Sequence, residues 1–179
     1  LTVHATEHGR RHGRLDQPVH HAVHEAEQRA VDVADAVIVC SEAMRDEVVG
    51  VLGARPSSVV VVPGGVDADA WSVSPDEARR ADDRWRRGGP LVVAAGRLEW
   101  EKGFSTLLRA VPGLRAWHPG LRVVLAGAGS GRRTLEQLRH DLRIGDVVDF
   151  AGRLDPLQLA RLFAAADVIV VPSRYEPFG

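Results

Sequence analysis

The sequence predicts an α/β protein built on doubly wound parallel sheets. Two observations carry this prediction: short β-branched runs that are apolar on both faces, and segments of helical length between them. The predicted strands are 35–40, 58–63, 90–96, 121–127, 147–152 and 167–173. The predicted helices are 17–34, 41–53, 104–117, 131–143 and 156–166.

Local signals support individual elements in chain order. The opening LTVH resembles the end of a strand. In the helix that begins at Phe104 the apolar residues keep helical spacing, although Pro112 should kink or end that helix early. Asp155 is a good N-cap for the last helix, and Pro156 suits its first helical position.

One segment, 64–89, breaks the alternation of strands and helices. It is bounded by glycine pairs and is polar and dense in charge, so it predicts a linker. The chain then divides into 1–63, the end of one Rossmann-like domain, and 90–179, most of a second. Because the chain begins without Met and inside a strand end, we expect a truncated fragment of a longer protein.

Composition and charge exclude several classes of function. The chain has 23 Lys and Arg against 24 Asp and Glu, so no global field favours nucleic acid or an anionic membrane. The basic run at 79–87 is interrupted by Asp82 and Asp83, which favours a solvated linker helix over membrane contact. The single Cys40 fits a reducing compartment, and no apolar stretch approaches the roughly 20 residues of a membrane span, so we expect a cytoplasmic protein.

The stretch GRLEWEKGF places Arg97 and Lys102 just before a predicted helix, and Lys102 is the only lysine of the chain. A helix N-terminus disfavours cations unless an anion is bound there, so the two residues predict a phosphate site, and a pair suits a diphosphate. The alternative is that Glu99 and Glu101 neutralise them on a solvated loop.

The chain contains a near-repeat of this motif. AGRLE at 95–99 returns as AGRLD at 151–155, again between a strand and a helix. The second copy lacks the lysine, and its Asp155 is explained as a helix cap. Only Lys102 and Gly103 therefore distinguish the first copy as a functional signal.

Glycines also lie between a predicted strand and a helix, at Gly127, Gly129 and Gly131. They permit close backbone approach to a ligand. The dinucleotide fingerprint G-x-G-x-x-G fails, however, because its third glycine position is Arg132. For the glycines alone, a tight turn without a ligand is the favoured interpretation.

Two further polar residues follow predicted strands. Glu176 lies on a loop where a carboxylate can contact a polar ligand, or can pair with Arg174. His4 closes the first strand end and can donate or accept a hydrogen bond near pH 7.

His20 and His24 have helical spacing, but no metalloprotease glutamate follows His20 and no cysteine lies nearby, so no metal site is expected.

Taken in order, these motifs resemble the retaining family 4 glycosyltransferases, which have two Rossmann-like domains in the GT-B fold. The segments that carry the resemblance are VHATEHGR, VIVCSEAMRDEV, VVVVPGGVDADAW, GRLEWEKGF, HPGLRVVLAGAGS, VVDFAGRLD and DVIVVPSRYEPFG. The usual Pro-Asn-Gly-Val-Asp of the family is here Pro63-Gly64-Gly65-Val66-Asp67, and the second glutamate of its E-x7-E motif would follow Gly179.

The resemblance implies roles for individual residues. Arg97 and Lys102 would hold the donor's diphosphate, Glu176 would contact the donor sugar, and His4 would match a histidine near the transferring sugar. The predicted catalytic residues are therefore His4, Arg97, Lys102 and Glu176. The predicted donor-binding residues are Gly96, Arg97, Lys102, Gly127, Gly129, Arg153, Leu154, Glu176, Pro177, Phe178 and Gly179.

The implied activity is transfer of a sugar, with retention of configuration, from an ADP-, UDP- or GDP-linked donor to a carbohydrate or other hydroxyl acceptor. No metal or other cofactor is expected, because the fixed cations themselves stabilise the leaving diphosphate. The HATEHGR opening is most similar to glycogen synthase-like members, which favours an α-glucan acceptor. The alternatives are another GT-B sugar-nucleotide enzyme, such as an epimerase, and a nucleotide-binding module without catalysis.

Overall fold

A computed structural model of the protein describes residues 1–86 and 88–178, without the side chains of 80–83. The chain forms two compact units. Unit 1 comprises Leu1–Val66 and Tyr175–Gly179, and unit 2 comprises Asp67–Arg174. Among the described residues, no helix is both long and apolar enough to cross a bilayer.

Unit 1 holds a three-stranded parallel sheet in the order β1-β2-β3. Its strands are β1 (Thr2–Val3), β2 (Val37–Val39) and β3 (Val59–Val61). Its helices are α1 (Glu7–Arg10), α2 (Pro18–Asp32) and α3 (Glu42–Leu52), and a 3-10 turn spans Pro56–Ser58.

The core of unit 1 lies on one face of its sheet. Val37 and Val39 point to this face and pack with Met44 and Val48 of α3, all of them fully buried. Ile38, between them in β2, points to the opposite face and is exposed. In unit 1 the core therefore lies on one face of the sheet, where α2 and α3 both contribute to it.

Unit 2 holds a four-stranded parallel sheet in the order β6-β5-β4-β7. Its strands are β4 (Leu91–Ala95), β5 (Arg122–Ala126), β6 (Val148–Gly152) and β7 (Val168–Ile169). Its helices are α4 (Pro75–Trp85), α5 (Phe104–Trp117), α6 (Arg132–Asp141) and α7 (Pro156–Ala165), with 3-10 turns at Asp69–Trp71 and Trp100–Lys102.

Both faces of β4 and β5 are buried in this second sheet, whereas the edge strand β7 is exposed. Val92 and Ala94 of β4 belong to the core that includes Phe104 of α5 and Leu135 of α6. Their neighbours in β4 belong to a separate core with α7, whose buried members are Leu91, Val93, Val124, Ala126, Leu162 and Ala165. The alternation along one strand thus distributes side chains to helices on opposite faces, which is a doubly wound arrangement.

The cap of α7, the extent of α5 and the length of β7 follow the sequence prediction to different degrees. Asp155 caps α7 in a full capping box with Gln158, and Pro156 takes the first helical position, which confirms that prediction. The predicted bounds of α5 are confirmed, since the helix runs from Phe104 to Trp117, so Pro112 does not end it early; Val111 is fully buried in the core. The strand predicted at 167–173 is assigned only as Val168–Ile169, at the sheet edge.

The segment 64–89, predicted as a linker, contains α4, and α4 packs against α7. Trp71 stacks on Phe163 with 6.1 Å between ring centroids, and Arg161 donates to Glu77 at 2.5 Å. From Asp67 onward this segment belongs to unit 2, and Tyr175–Gly179 belongs to unit 1. Arg87 lies outside the described residues.

Candidate functional site

A pocket of about 410 Å³ lies in unit 2 at the carboxyl ends of β4, β5 and β6. Five of the predicted donor-binding residues line it: Gly96, Arg97, Gly127, Arg153 and Leu154. The order of the sheet reverses at β4, which lies between β5 and β7. Ligands of open α/β sheets bind outside the carboxyl ends of strands at such a reversal, and the volume suits a small-molecule site.

Backbone hydrogen bonds hold the strand ends around the pocket together. The amide of Gly96 donates to the carbonyl of Ala126 at 2.9 Å, and the amide of Gly127 donates to the carbonyl of Gly152 at 2.7 Å. The ladder therefore continues past the assigned ends of β4 and β5. The glycine turns that line the pocket are fixed by the sheet itself.

The turn after β4 is clamped to the glycine-rich turn after β5. Leu98, which is fully buried, donates through its amide to Ala128 at 2.9 Å and accepts from the amide of Gly131 at 2.8 Å. Gly129 packs so closely here that a Cβ would lie 2.6 Å from the Leu98 carbonyl oxygen. Gly129 is not among the pocket-lining residues, so its missing side chain serves backbone packing within the protein.

Glu99 adds a polar bond to the same clamp. Its carboxylate accepts from the Ser130 amide at 2.8 Å and from the Ser130 hydroxyl at 2.7 Å. The Ser130 amide is the main cause that lowers the pKa of Glu99, with the hydroxyl adding to it. Glu99 therefore holds the loop 127–131, and the nearby charge of Arg97, the neutralising partner that the sequence suggested, is a smaller cause of the lowered pKa of Glu99.

Arg97 pairs with the second acid of the motif. Its guanidinium donates to Glu101 at 2.9 Å, while 67% of the Arg97 side chain stays exposed. Lys102 is half-buried at the end of a 3-10 turn, directly before the first residue of α5, and it is not among the residues that line the pocket. The cation-rich turn therefore lies where the sequence predicted it, and its two cations have different surroundings.

Gly103 fixes the turn that carries Lys102. It has φ +65°, which side chains rarely adopt, and a Cβ would overlap the carbonyl oxygen of Pro172. The amide of Arg174 donates to the carbonyl of Glu101 at 2.8 Å, and the Arg174 guanidinium lies 5.0 Å from the centroid of the Trp100 ring. Lys102 is therefore presented by a turn that is packed against the segment after β7.

The remaining predicted residues lie in unit 1. His4 is exposed and directly follows β1. Glu176 and Phe178 are exposed, whereas Pro177 is half-buried and accepts a hydrogen bond from the Ser41 hydroxyl at 2.6 Å. Gly179 lies outside the described residues.

The histidine-rich start of the chain forms no metal site among the residues that the structure describes. There, no group of three or more His, Cys, Asp or Glu side chains is placed to hold a metal ion. His20 is buried, and the rings of His8 and His24 lie 6.3 Å apart.

Several residues of the site were not predicted from sequence. Ala95, Ala126, Ala128 and Leu159 line the pocket, and Ser130 holds Glu99. Ala95 and Ala126 could have been predicted, because they lie at the ends of the predicted strands 90–96 and 121–127, and a pocket at strand ends requires short side chains. Leu159 and Ser130 carry no such signal, since only the packing of α7 and of the loop 127–131 brings them to the site.

Two parallel-sheet α/β units, one with a pocket at its strand ends, correspond to the GT-B fold. Sucrose-phosphate synthase from Thermosynechococcus elongatus matches with a TM-score of 0.83 and 28% identity, covering 99% of this chain and 45% of that one. By sequence, glycogen synthase from Mycobacterium tuberculosis is 37% identical over 99% of this chain and 41% of its own length. D-inositol 3-phosphate glycosyltransferase from Corynebacterium kroppenstedtii is 37% identical over 86% of this chain and 36% of its own length.

The chain belongs to the family described as glycosyl transferases group 1, whose model matches residues 75–179. Residues 1–70 match the model described as Glycosyltransferase Family 4. The predicted family resemblance is thereby confirmed. The chain spans about two fifths of the length of the curated relatives it matches.

Proposed function

We propose that this protein transfers a sugar from a nucleotide diphosphate sugar to a hydroxyl acceptor with retention of configuration. The observation that carries the proposal is the pocket at the ends of β4 to β6, where Arg97 and Arg153 lie beside glycine turns. Guanidinium groups bind phosphate oxygens through paired hydrogen bonds, and glycines leave room for a ligand near the backbone.

Under this proposal unit 2 binds the nucleotide end of the donor. Arg97 and Lys102 hold the diphosphate, and Arg153 and Leu154 border the nucleobase. Glu101 supports this role, because its bond to Arg97 orients the guanidinium while most of that side chain stays exposed. His4 and Glu176 act on the sugar, as the family resemblance implies.

The reaction places opposite charges on its two fragments. The bond between the anomeric carbon and the phosphate oxygen breaks, and the acceptor oxygen bonds to the same face of that carbon. The acceptor's proton passes to the leaving diphosphate. Fixed cations stabilise the negative charge that develops on the diphosphate, so the proposal requires neither a metal nor another cofactor.

The relatives guide the choice of acceptor. The glycogen synthase relative aligns with 99% of this chain, and the inositol phosphate glycosyltransferase relative with 86%. We therefore propose an α-glucan acceptor. The family match favours transfer over isomerisation of the donor, which was the alternative enzyme prediction.

The test uses the full-length gene product with ADP-, UDP- and GDP-glucose, an α-glucan and an inositol phosphate. We expect an α-linked glucan product, identified by its anomeric NMR coupling, and unchanged transfer in the presence of a chelator. Isomerised donor without acceptor product would instead indicate an epimerase. Nucleoside diphosphate binding without turnover would indicate a binding module, and glycosylated inositol phosphate would replace the glucan acceptor.

Two substitutions of Lys102 test its proposed role at the diphosphate. Lys102→Ala is expected to lose about 10²–10³-fold in kcat, the cost of removing one charge-stabilising group. Lys102→Arg keeps the charge but changes its geometry, so it should retain more activity than the alanine variant. Unchanged transfer by a folded Lys102→Ala variant would contradict the diphosphate role.

A further inference from the structure

The hydroxyl of Tyr175 joins three segments of unit 1. It donates to the Glu47 carboxylate of α3, with 3.1 and 3.2 Å to the two oxygens, and accepts from the Thr6 amide at 3.4 Å. The Thr6 hydroxyl also donates to Glu47. We name Thr6, Glu47 and Tyr175 the Tyr175 network. It connects the turn after β1, helix α3 and the segment that follows β7 in the chain.

The ring of Tyr175 fits a space that requires a glycine. A Cβ on Gly9 would overlap the ring of Tyr175 and would lie 2.5 Å from a Glu47 oxygen. The sulfur of Met44, which is fully buried, lies 3.7 Å from the Tyr175 hydroxyl. The position of Tyr175 is therefore defined by packing as well as by hydrogen bonds.

A second bond holds the same segment two residues later. Ser41 caps α3 by accepting from the Met44 amide at 3.1 Å, and its hydroxyl donates to the Pro177 carbonyl at 2.6 Å. Glu176 lies between these two attachments and is exposed. Helix α3 thus fixes the backbone on both sides of the exposed residue Glu176.

The Tyr175 network also reaches the turn that carries His4. Thr6 caps α1, because its hydroxyl accepts from the Gly9 amide at 2.9 Å, and His4 lies two residues before it. Burial is the main cause that raises the pKa of Tyr175 to about 12, so its hydroxyl keeps its proton and donates to Glu47 at neutral pH.

We propose that the Tyr175 network and Ser41 position Glu176, and through Thr6 the turn of His4, for sugar transfer. Tyr175, Glu47 and Ser41 are positioning residues, since their effect passes through other residues. This inference rests on the proposed function, which assigns the sugar to Glu176 and His4. A displacement of about 1 Å at reacting groups can reduce a rate about 10²-fold, so such positioning is measurable.

The kinetic test compares variants of the full-length gene product. Tyr175→Phe keeps the ring but removes the hydroxyl, and Glu47→Ala removes the acceptor. Each is expected to lower kcat for transfer by about 10- to 100-fold, while the Kd of the free nucleoside diphosphate stays unchanged. Glu47→Gln retains an acceptor and should recover part of the rate. Glu42→Ala, an exposed glutamate on the same helix, is the matched control and should transfer at the wild-type rate.

The combined effect of the Tyr175 and Glu47 substitutions provides a second test of the inference. If the Tyr175 network acts as a unit, the double variant Tyr175→Phe/Glu47→Ala should lose no more rate than either single variant. Full transfer activity in both single variants would overturn the inference. So would a loss of diphosphate binding in parallel with kcat in variants that remain folded, because the Tyr175 network would then not act specifically on Glu176 and His4.

Hydrogen exchange separates this inference from the proposed function. Tyr175→Phe should increase amide exchange in 175–178, with exchange in β4 and β5 unchanged. If the wild-type protein transfers no sugar, the proposed function fails, and exchange alone then tests the attachment. Unchanged exchange in 175–178 would overturn the inference in either case.

Discussion

Arg97 donates to Glu101 across 2.9 Å, four residues along the chain, and lines the pocket at the strand ends of unit 2. The carboxylate orients the guanidinium without covering it, since 67% of the Arg97 side chain stays exposed. An exposed ion pair of this kind contributes little to stability, typically about 0–1 kcal/mol. Its value to the protein is therefore expected to lie in ligand binding.

The first prediction concerns Arg97 itself. Arg97→Ala should weaken nucleoside diphosphate binding by about 10- to 100-fold, because a hydrogen bond to a charged group contributes about 1.5–3 kcal/mol. Arg97→Lys should recover only part of this affinity, since an ammonium cannot form paired bonds to a phosphate. Isothermal titration calorimetry measures both.

Arg115→Ala is the matched control for Arg97. Arg115 also donates to a carboxylate at 2.9 Å, that of Asp146, and it is exposed to 42%. Its variant should bind diphosphate like the wild type. Equal losses in the Arg97 and Arg115 variants would exclude a specific role for Arg97.

The second prediction concerns the clamp, in which Leu98 of the turn after β4 bonds to and packs against the glycine-rich turn 127–131 after β5. Gly129→Ala would place a Cβ 2.6 Å from the Leu98 carbonyl oxygen, so it should lower the free energy of unfolding by about 1–3 kcal/mol. Gly113→Ala is the matched control, because a Cβ at this helical position meets nothing within 4 Å. It should raise stability by about 0.5–1 kcal/mol through the higher helix propensity of alanine. Denaturant unfolding distinguishes the two, and equal effects would contradict the clamp.

The third prediction concerns the docking of α4 on α7. The bond to Arg161 is the main cause that lowers the pKa of Glu77 from 4.5 to about 2, assisted by Ser74. Between these values the unfolded state binds more protons than the folded state, so stability falls as pH falls. The contribution is present above about pH 4.5 and is lost as the pH approaches 2.

Variants at this ion pair test the pH dependence. Glu77→Gln and Arg161→Met should each flatten the fall in Tm between pH 5 and pH 2, because each removes the charge interaction. In a variant whose other three tryptophans are replaced by phenylalanine, the fluorescence of Trp71, which stacks on Phe163, reports local release of this segment. An acid profile of Glu77→Gln identical to the wild type would contradict the assignment.

The fourth prediction concerns the start of α7, next to the pocket-lining residues Arg153 and Leu154. Asp155→Ala removes the carboxylate that accepts from the Gln158 amide, while the amide of residue 155 can still donate to the Gln158 side chain, and it should cost about 1 kcal/mol of unfolding free energy. Asp155→Asn keeps an acceptor oxygen and should restore most of that loss. A lower free energy of unfolding in Asp155→Asn but not in Asp155→Ala would be inconsistent with capping by the Asp155 side chain.

The sequence predicted some elements of the fold more completely than others. Strand–helix alternation predicted the parallel sheet of unit 2 because the pattern is local and repeats along the chain. It also predicted β2, but not which of its faces is buried, since Ile38 is as apolar as its buried neighbours and is exposed. Apolar composition alone cannot tell which face of a strand receives helices. The predicted helix 104–117 also forms in full, although it contains Pro112, whose neighbour Val111 is fully buried.

The sequence by itself determined the family, the order of the elements and the turn that carries Arg97 and Lys102, because these depend on residue types at fixed spacing. Tertiary structure alone decided that Glu99 binds Ser130, 31 residues further along the chain, whereas Glu101 pairs with Arg97 at a local spacing of four residues. It also decided that Tyr175 is attached to Glu47, 128 residues earlier. Such pairs form only when the folded sheets bring distant turns together, and no local pattern in the sequence specifies that distance.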